Sequence, residues 1–164
     1  MTPKNMPVKR RETPRPATKT PRKGKRSATR PAPLTWADAR WELFDGGVLF
    51  TMPETERVNA VWRRARNRTI VSQRHRDDKA MAPLVFARAI PVDGDVWVSM
   101  HWHRSRRDGD VDGRIKTALD LLQGIAYHDD AQVAALDVRR IDDDTQAARL
   151  EVLVRPLPTM WGSV

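Results

Sequence analysis

The chain has 164 residues, enough for one domain with appendages, and a net charge of +9. It has no cysteine, which excludes disulfides, thiolate nucleophiles and zinc–thiolate sites, and no apolar run long enough to span a bilayer as a helix. The basic N-terminus has no apolar stretch behind it and does not read as a secretory signal, so a cytoplasmic setting is expected.

The charge is unevenly placed. Residues 1–33 hold eleven Lys and Arg against the single Glu12, leaving a body close to neutral. With Pro and Thr filling most of the rest, this arm has little to bury and is expected to be disordered in isolation. A basic arm on a neutral body suits an anionic polymer, nucleic acid before membrane; a solvated tail with no fixed target is the plainer alternative.

Residues 34–46 are expected to form a linker with a short helix, Trp36 to Phe44, capped by Thr35 and broken by Asp45-Gly46-Gly47. The main domain is placed at 47–157, opening with a strand from Val48 to Met52. Residues 53–74 read as an irregular basic segment, in which Asn59, Arg63, Arg64, Arg66 and Arg68 around Trp62 suit a DNA-facing surface. Trp62 could equally anchor the segment to the core. A helix is expected around Ala80–Ile90 with Pro83 in its first turn. The alternation from Asp95 to His103 predicts a strand with Val96, Val98, Met100 and Trp102 inward. His101 and His103 then share an exposed polar face, since no third metal-ligating residue accompanies them.

The apolar stripe Ile115, Ala118, Leu119 and Leu122 predicts a helix from about Asp112 to Gln123, stopped by Gly124. A strand follows at Val133–Ile141 with Leu136 and Val138 inward, then an acidic turn at Asp142–Asp144. A last strand carries Ala148, Leu150, Val152 and Val154, and residues 158–164 form a tail. The final two strands are expected to pair as an antiparallel hairpin. The sum is an α+β fold: a small mixed sheet of about four strands with helices on one side.

Chemistry concentrates between Asp108 and Asp130. Asp110 and Asp112, two apart in an extended entry to the helix, project to the same side. Asp112, Lys116 and Asp120 follow at helical spacing, and Asp129 and Asp130 lie beyond Gly124. Carboxylates without cysteine or a histidine cage select a hard cation, Mg²⁺ or Mn²⁺, which activates water and stabilises charge in phosphodiester hydrolysis. A nearby lysine would contact the phosphate. An Asp112–Lys116 ion pair is the minimal alternative and leaves Asp110 and Asp130 without a role. Calcium is a sharper one, because residues 108–113 read D-x-D-x-D-G. An EF-hand loop then requires Glu at its twelfth position, where Leu119 stands, and the calcium reading fails.

The run R-D-G-D-V-D-G-R-I-K-T-A-L-D-L-L, followed by Y-H-D-D-A-Q-V, resembles the RusA family of Holliday-junction resolvases. The upstream M-P-E-T-E-R-V-N-A-V-W-R-R is similar to that family's proline-to-asparagine segment, with Asn59 at the asparagine. The resemblance spans roughly residues 48–155. It implies a RusA-like fold and a homodimeric, Mg²⁺-dependent endodeoxyribonuclease acting on four-way junctions in recombination and repair, nucleoid-associated and of cellular or phage origin. Asp110, Asp112 and Asp130 match the metal-binding acids, and Lys116 the essential lysine. Asp129 is then an outer residue or a further cation ligand. Gly113 stands where the family has Asn, and the basic arm has no counterpart in the compact family pattern. A non-catalytic DNA-binding protein, and a nuclease for another branched or flap nucleic acid, are the alternatives.

Overall fold

A computed structural model describes residues 30–104, 109–143 and 145–157. The tail 158–164, most of the basic arm and part of the acidic turn lie outside the described residues. The order is β1 (Arg40–Phe44), β2 (Gly47–Met52), α1 (Val58–Val61), β3 (Trp62–Ala65), β4 (Arg68–Val71), α2 (Gln73–Val85), β5 (Val96–His103), α3 (Asp112–Leu122), a 3-10 turn (Asp130–Gln132), β6 (Val133–Ile141) and β7 (Arg149–Pro156).

The fold is α+β, and its sheet has five strands where about four were expected, in the order β1-β2-β7-β5-β6. The added strand is β1. Residues 36–38 make only a turn, in which Thr35 donates to Asp38 (2.6 Å). Asp45 (φ 46) and Gly46 (φ 71) then reverse the chain into a two-residue hairpin with β2. Asp-Gly favours that turn because both central residues take positive φ, and this outweighs the helical spacing of Trp36, Ala39 and Leu43. Gly47 is required by close packing: a Cβ there would lie 2.3 Å from the Val154 carbonyl oxygen.

The expected β6–β7 hairpin does not form. β6 pairs parallel with β5, and β7 inserts antiparallel between β5 and β2. α3 is therefore the crossover of a β-α-β unit, as parallel neighbours require. The loop after β6 passes the end of β5, where Arg104 donates to Asp142 (2.7 Å).

α2 and α3 cover one face of the sheet. Phe50, Met52, Val96, Val98, Met100, Trp102, Leu150, Val152 and Val154 are buried with Ala82, Phe86, Ala118 and Leu122. On α3 the buried residues are Thr117, Ala118, Leu121 and Leu122, a stripe rotated from the expected one. Gly124 ends the helix at φ 77.

α2 begins at Gln73, seven residues before the expected start, with Ser72 accepting from the His75 amide. Pro83 lies near its end, exposed, and has no N–H to donate to the carbonyl one turn back. Leu136 is exposed rather than inward, because β6 is an edge strand. His103 is buried, 3.1 Å from Glu151, so the opposite face is not the open polar surface expected for it.

Candidate active site

The segment 53–57, irregular by its sequence, is fastened in place by polar groups. Glu54, Thr55 and Glu56 are buried although they form no strand or helix. Glu54 accepts from the Trp102 indole (2.7 Å), and its carbonyl accepts from Arg74 (2.6 Å). Glu56 accepts from the Ser72 hydroxyl, and the Thr117 hydroxyl donates to the Glu56 carbonyl (2.8 Å). Arg114 donates to the Thr55 carbonyl and lies 4.6 Å from the Trp102 ring centroid. These contacts fix α1 against α3, and residues 58–71 become helix plus hairpin rather than irregular chain. No apolar periodicity announces such a segment, so pattern reading misses it.

α1 and the start of α3 enclose a cleft of about 460 Å³ lined by Arg57, Val58, Asn59, Asp110, Asp112 and Gly113. Two of the three predicted metal-binding carboxylates and the predicted asparagine thus share one cavity. Arg57, from the basic segment 53–74, joins them without any sequence signal that singles it out. Its guanidinium packs on Gly109, where a Cβ would lie 2.6 Å from it and where φ is 95. Asp112 sits in the first turn of α3, where the helix dipole favours negative charge, and accepts from the Gly113 amide (2.8 Å).

Lys116 does not pair with Asp112. It donates to Asp120, one turn on, at 3.3 Å, and both line a second groove beside the cleft. Asp130 opens the 3-10 turn, exposed. It lies with Asp120 near the buried Tyr127, whose hydroxyl donates to the Leu119 carbonyl (2.8 Å). Burial, then the charges of Asp130 and Asp120, push the Tyr127 hydroxyl far above its ordinary pKa. Asp120 is eight residues past Asp112, roughly 12 Å of helical rise. Asp110 and Asp112 therefore share the cleft, Asp120 lines the neighbouring groove, and Asp130 stands on the 3-10 turn near Tyr127. Among the described residues, no three of His, Cys, Asp and Glu are grouped as a metal site.

The D-D-x-Q run divides its labour. Asp129 accepts from the Ala131 amide (2.9 Å), and the Gln132 side chain accepts from the amides of His128 (2.6 Å) and Asp129 (2.9 Å). Gln132 also donates to the carbonyls of Val92 (3.1 Å) and Gly94 (2.7 Å). Asp129 and Gln132 thus build the turn, leaving Asp130 to project from it.

Arg63 and Arg64 on β3, and Arg68 on β4, are exposed on a two-stranded ribbon turned by Arg66 (φ 53) and Asn67. Arg63 also lies 3.8 Å from Glu56. The four predicted DNA-binding arginines therefore form a basic prong beside the carboxylate cleft, while Asn59, the fifth predicted residue, lines the cleft itself.

Residues 51–155 match the family described as Endodeoxyribonuclease RusA. The chain belongs to the RusA family. Membership identifies the domain as an endodeoxyribonuclease and places the cleft, the lysine and the D-D-x-Q turn inside the matched span. A comparison with curated proteins finds no match. Among solved structures, the RusA-family chain is similar to the periplasmic domain of Helicobacter pylori MotB, in structures of residues 90–256 and 78–256, each at 10% identity. The first covers 79% of this chain and 89% of that one with a TM-score of 0.37; the second covers 75% and 85% with 0.35. Those scores are too low to show a shared fold. No helix among the described residues is long and apolar enough to cross a membrane.

Proposed function

We propose that this chain is a Mg²⁺-dependent resolvase of four-way DNA junctions, acting as a homodimer. The observation that carries the reading is the single cleft shared by Asp110, Asp112, Arg57 and Asn59, with Lys116 in the adjoining groove. Mg²⁺ is commonly held by one or two carboxylates, with water and substrate phosphate filling its other positions, and Asp110 and Asp112 supply that donor set. Mn²⁺ has the same preference for oxygen. When bound, such an ion lowers the pKa of a water and stabilises charge on the phosphate.

The protein's own groups supply the rest. Arg57 packs on Gly109 and so holds the entry to α3 in position beside both acids. The Lys116 ammonium, two-thirds exposed, is placed to take a phosphate oxygen in exchange for Asp120. Arg63, Arg64, Arg66 and Arg68 track the DNA backbone, with Asn59 at the cleft itself. The resemblance gives Asp130 a role in metal binding, and its exposed position on the 3-10 turn leaves it accessible. Symmetric nicks across a junction need two related sites, which a homodimer provides.

Cleavage of a synthetic four-way junction, with and without Mg²⁺, tests the reading. Wild type should nick only with the metal. Asp112→Asn should lose cutting at least a hundredfold while binding the junction nearly as well. Absence of metal-dependent nicking by wild type would leave a DNA-binding protein; preference for flaps or RNA in competition would reassign the substrate.

A further inference from the structure

Beside the carboxylate cleft, and sharing Val58 with it, lies a groove of about 570 Å³ between the β3–β4 ribbon, α2 and α3. Its wall is apolar, formed by Val61, Trp62, Ile70 and Val71. Two of these residues are conspicuously uncovered: Trp62 is 57% exposed and Ile70 is 42% exposed. Its rim carries Arg76 and Lys79 from α2 and, from α3, Lys116 paired with Asp120 (3.3 Å), a net positive set. Arg76 is held by the Val71 carbonyl (2.5 Å) and Gln73 (2.6 Å), and Lys79 has no hydrogen bond or ion pair among the described residues. An indole with an open face, cations around it and a volume suited to a small-molecule-sized group make a site for something flat and anionic at its edge. A nucleotide of a DNA strand has that chemistry, and the groove adjoins the place where the scissile phosphate would lie.

We infer that this groove seats one unstacked nucleobase flanking the scissile phosphate, with Trp62 as its stacking platform and Lys79 and Arg76 on the neighbouring phosphate. The inference rests on the nuclease reading and adds a substrate contact to it. A paired duplex cannot enter a groove of this size, whereas a base at a branch point can, because its unstacking cost is lowest where the helix is already interrupted. The subsite therefore favours branched over continuous DNA without reading a base edge, since every base offers a π-face.

A coupling experiment tests it. Full-length protein is bound to a synthetic four-way junction in Mg²⁺-free buffer, with a single abasic nucleotide moved through the crossover. Wild type, Trp62→Ala and Trp62→Phe are compared on each junction. At one position per cut strand, removing the base should weaken wild-type binding roughly 5- to 100-fold. Trp62→Ala should lose a similar factor on the intact junction and almost nothing more on the abasic one. Trp62→Phe should keep most of the affinity and the coupling, which separates stacking from a folding defect. If no position distinguishes wild type from Trp62→Ala, the subsite is overturned. Coupling without metal-dependent cutting would count against the nuclease reading alone, and a chain that binds no DNA overturns both.

Discussion

Asp129 and Asp130 are neighbours with the same side chain, and the structure gives them opposite work. Asp129 is spent on the backbone of the 3-10 turn, accepting from Ala131, whereas Asp130 projects into solvent near Tyr127. Asp130→Asn should therefore abolish junction cutting with an unchanged melting temperature. Asp129→Ala should cost about 1 kcal/mol of stability, as a lost cap does, read by thermal or denaturant unfolding. If the two variants behave alike in both assays, the division is wrong. Gly113 poses the reverse question. The position has ordinary backbone dihedrals, and an added Cβ would meet only the Arg57 Cβ, at 3.9 Å. The space thus accepts the asparagine that the family resemblance places there. Gly113→Asn should fold normally, gain a few tenths of a kcal/mol by replacing glycine inside a helix, and cut at least as fast as wild type in the junction assay. The motif acids were legible because their spacing around a helix start is unusual. Arg57 was not, because its role depends on Gly109, more than fifty residues away.

At the scale of elements, what could be read was what is local. β5 alternates cleanly and α3 carries a helical stripe closed by Gly124, and both fall within a residue of expectation at most boundaries. The strand assignments of β6 and β7 also hold, but an alternating pattern names no partner, so the short link between them suggested a hairpin where the sheet inserts β7 beside β5. α2 was misplaced for a related reason. Its first two turns, Gln73 to Lys79, are almost wholly polar, and the residues it buries there are His75 and Asp78. Asp78 accepts from the Trp36 indole (2.8 Å) and joins the N-terminal turn to this helix. Burial pushes its carboxyl above the usual range, against the Trp36 hydrogen bond and the charges of Arg74 and His75. A carboxyl whose pKa rises on folding favours the folded state in acid, and that contribution is lost as pH climbs through the raised value. Asp78→Asn keeps an acceptor for Trp36 and removes the buried charge, so it should melt a few degrees higher than wild type at pH 7. The difference should shrink as pH falls and Asp78 protonates; thermal melts across that range check it, and a gap that widens in acid contradicts it.

For the whole molecule, the division of charge between arm and body sets the behaviour on DNA. Ten Lys and Arg lie in residues 1–29, and from Leu34 the chain is tied to the start of β7 by a hydrogen bond that the Leu34 amide donates to the Ala148 carbonyl (2.9 Å). Deleting residues 1–29 should weaken junction binding most at low salt and flatten the dependence of log affinity on log salt concentration, because fewer counterions are released. Titrations at several salt concentrations measure this, and an equal loss at every concentration would contradict an electrostatic arm. The sheet order has a consequence of another kind. β7 lies between β2 and β5, so among the described residues the two halves of the sheet are joined by strand pairing only through residues 149–156. While the chain emerges from a ribosome, the β1–β2 hairpin and the β5–α3–β6 unit exist without a strand to join them. The cleft residues, all made earlier, must wait for that strand before their scaffold closes. A nuclease built in this order gains its working shape only after β7 has left the ribosome and paired with both halves, however early its acids were made.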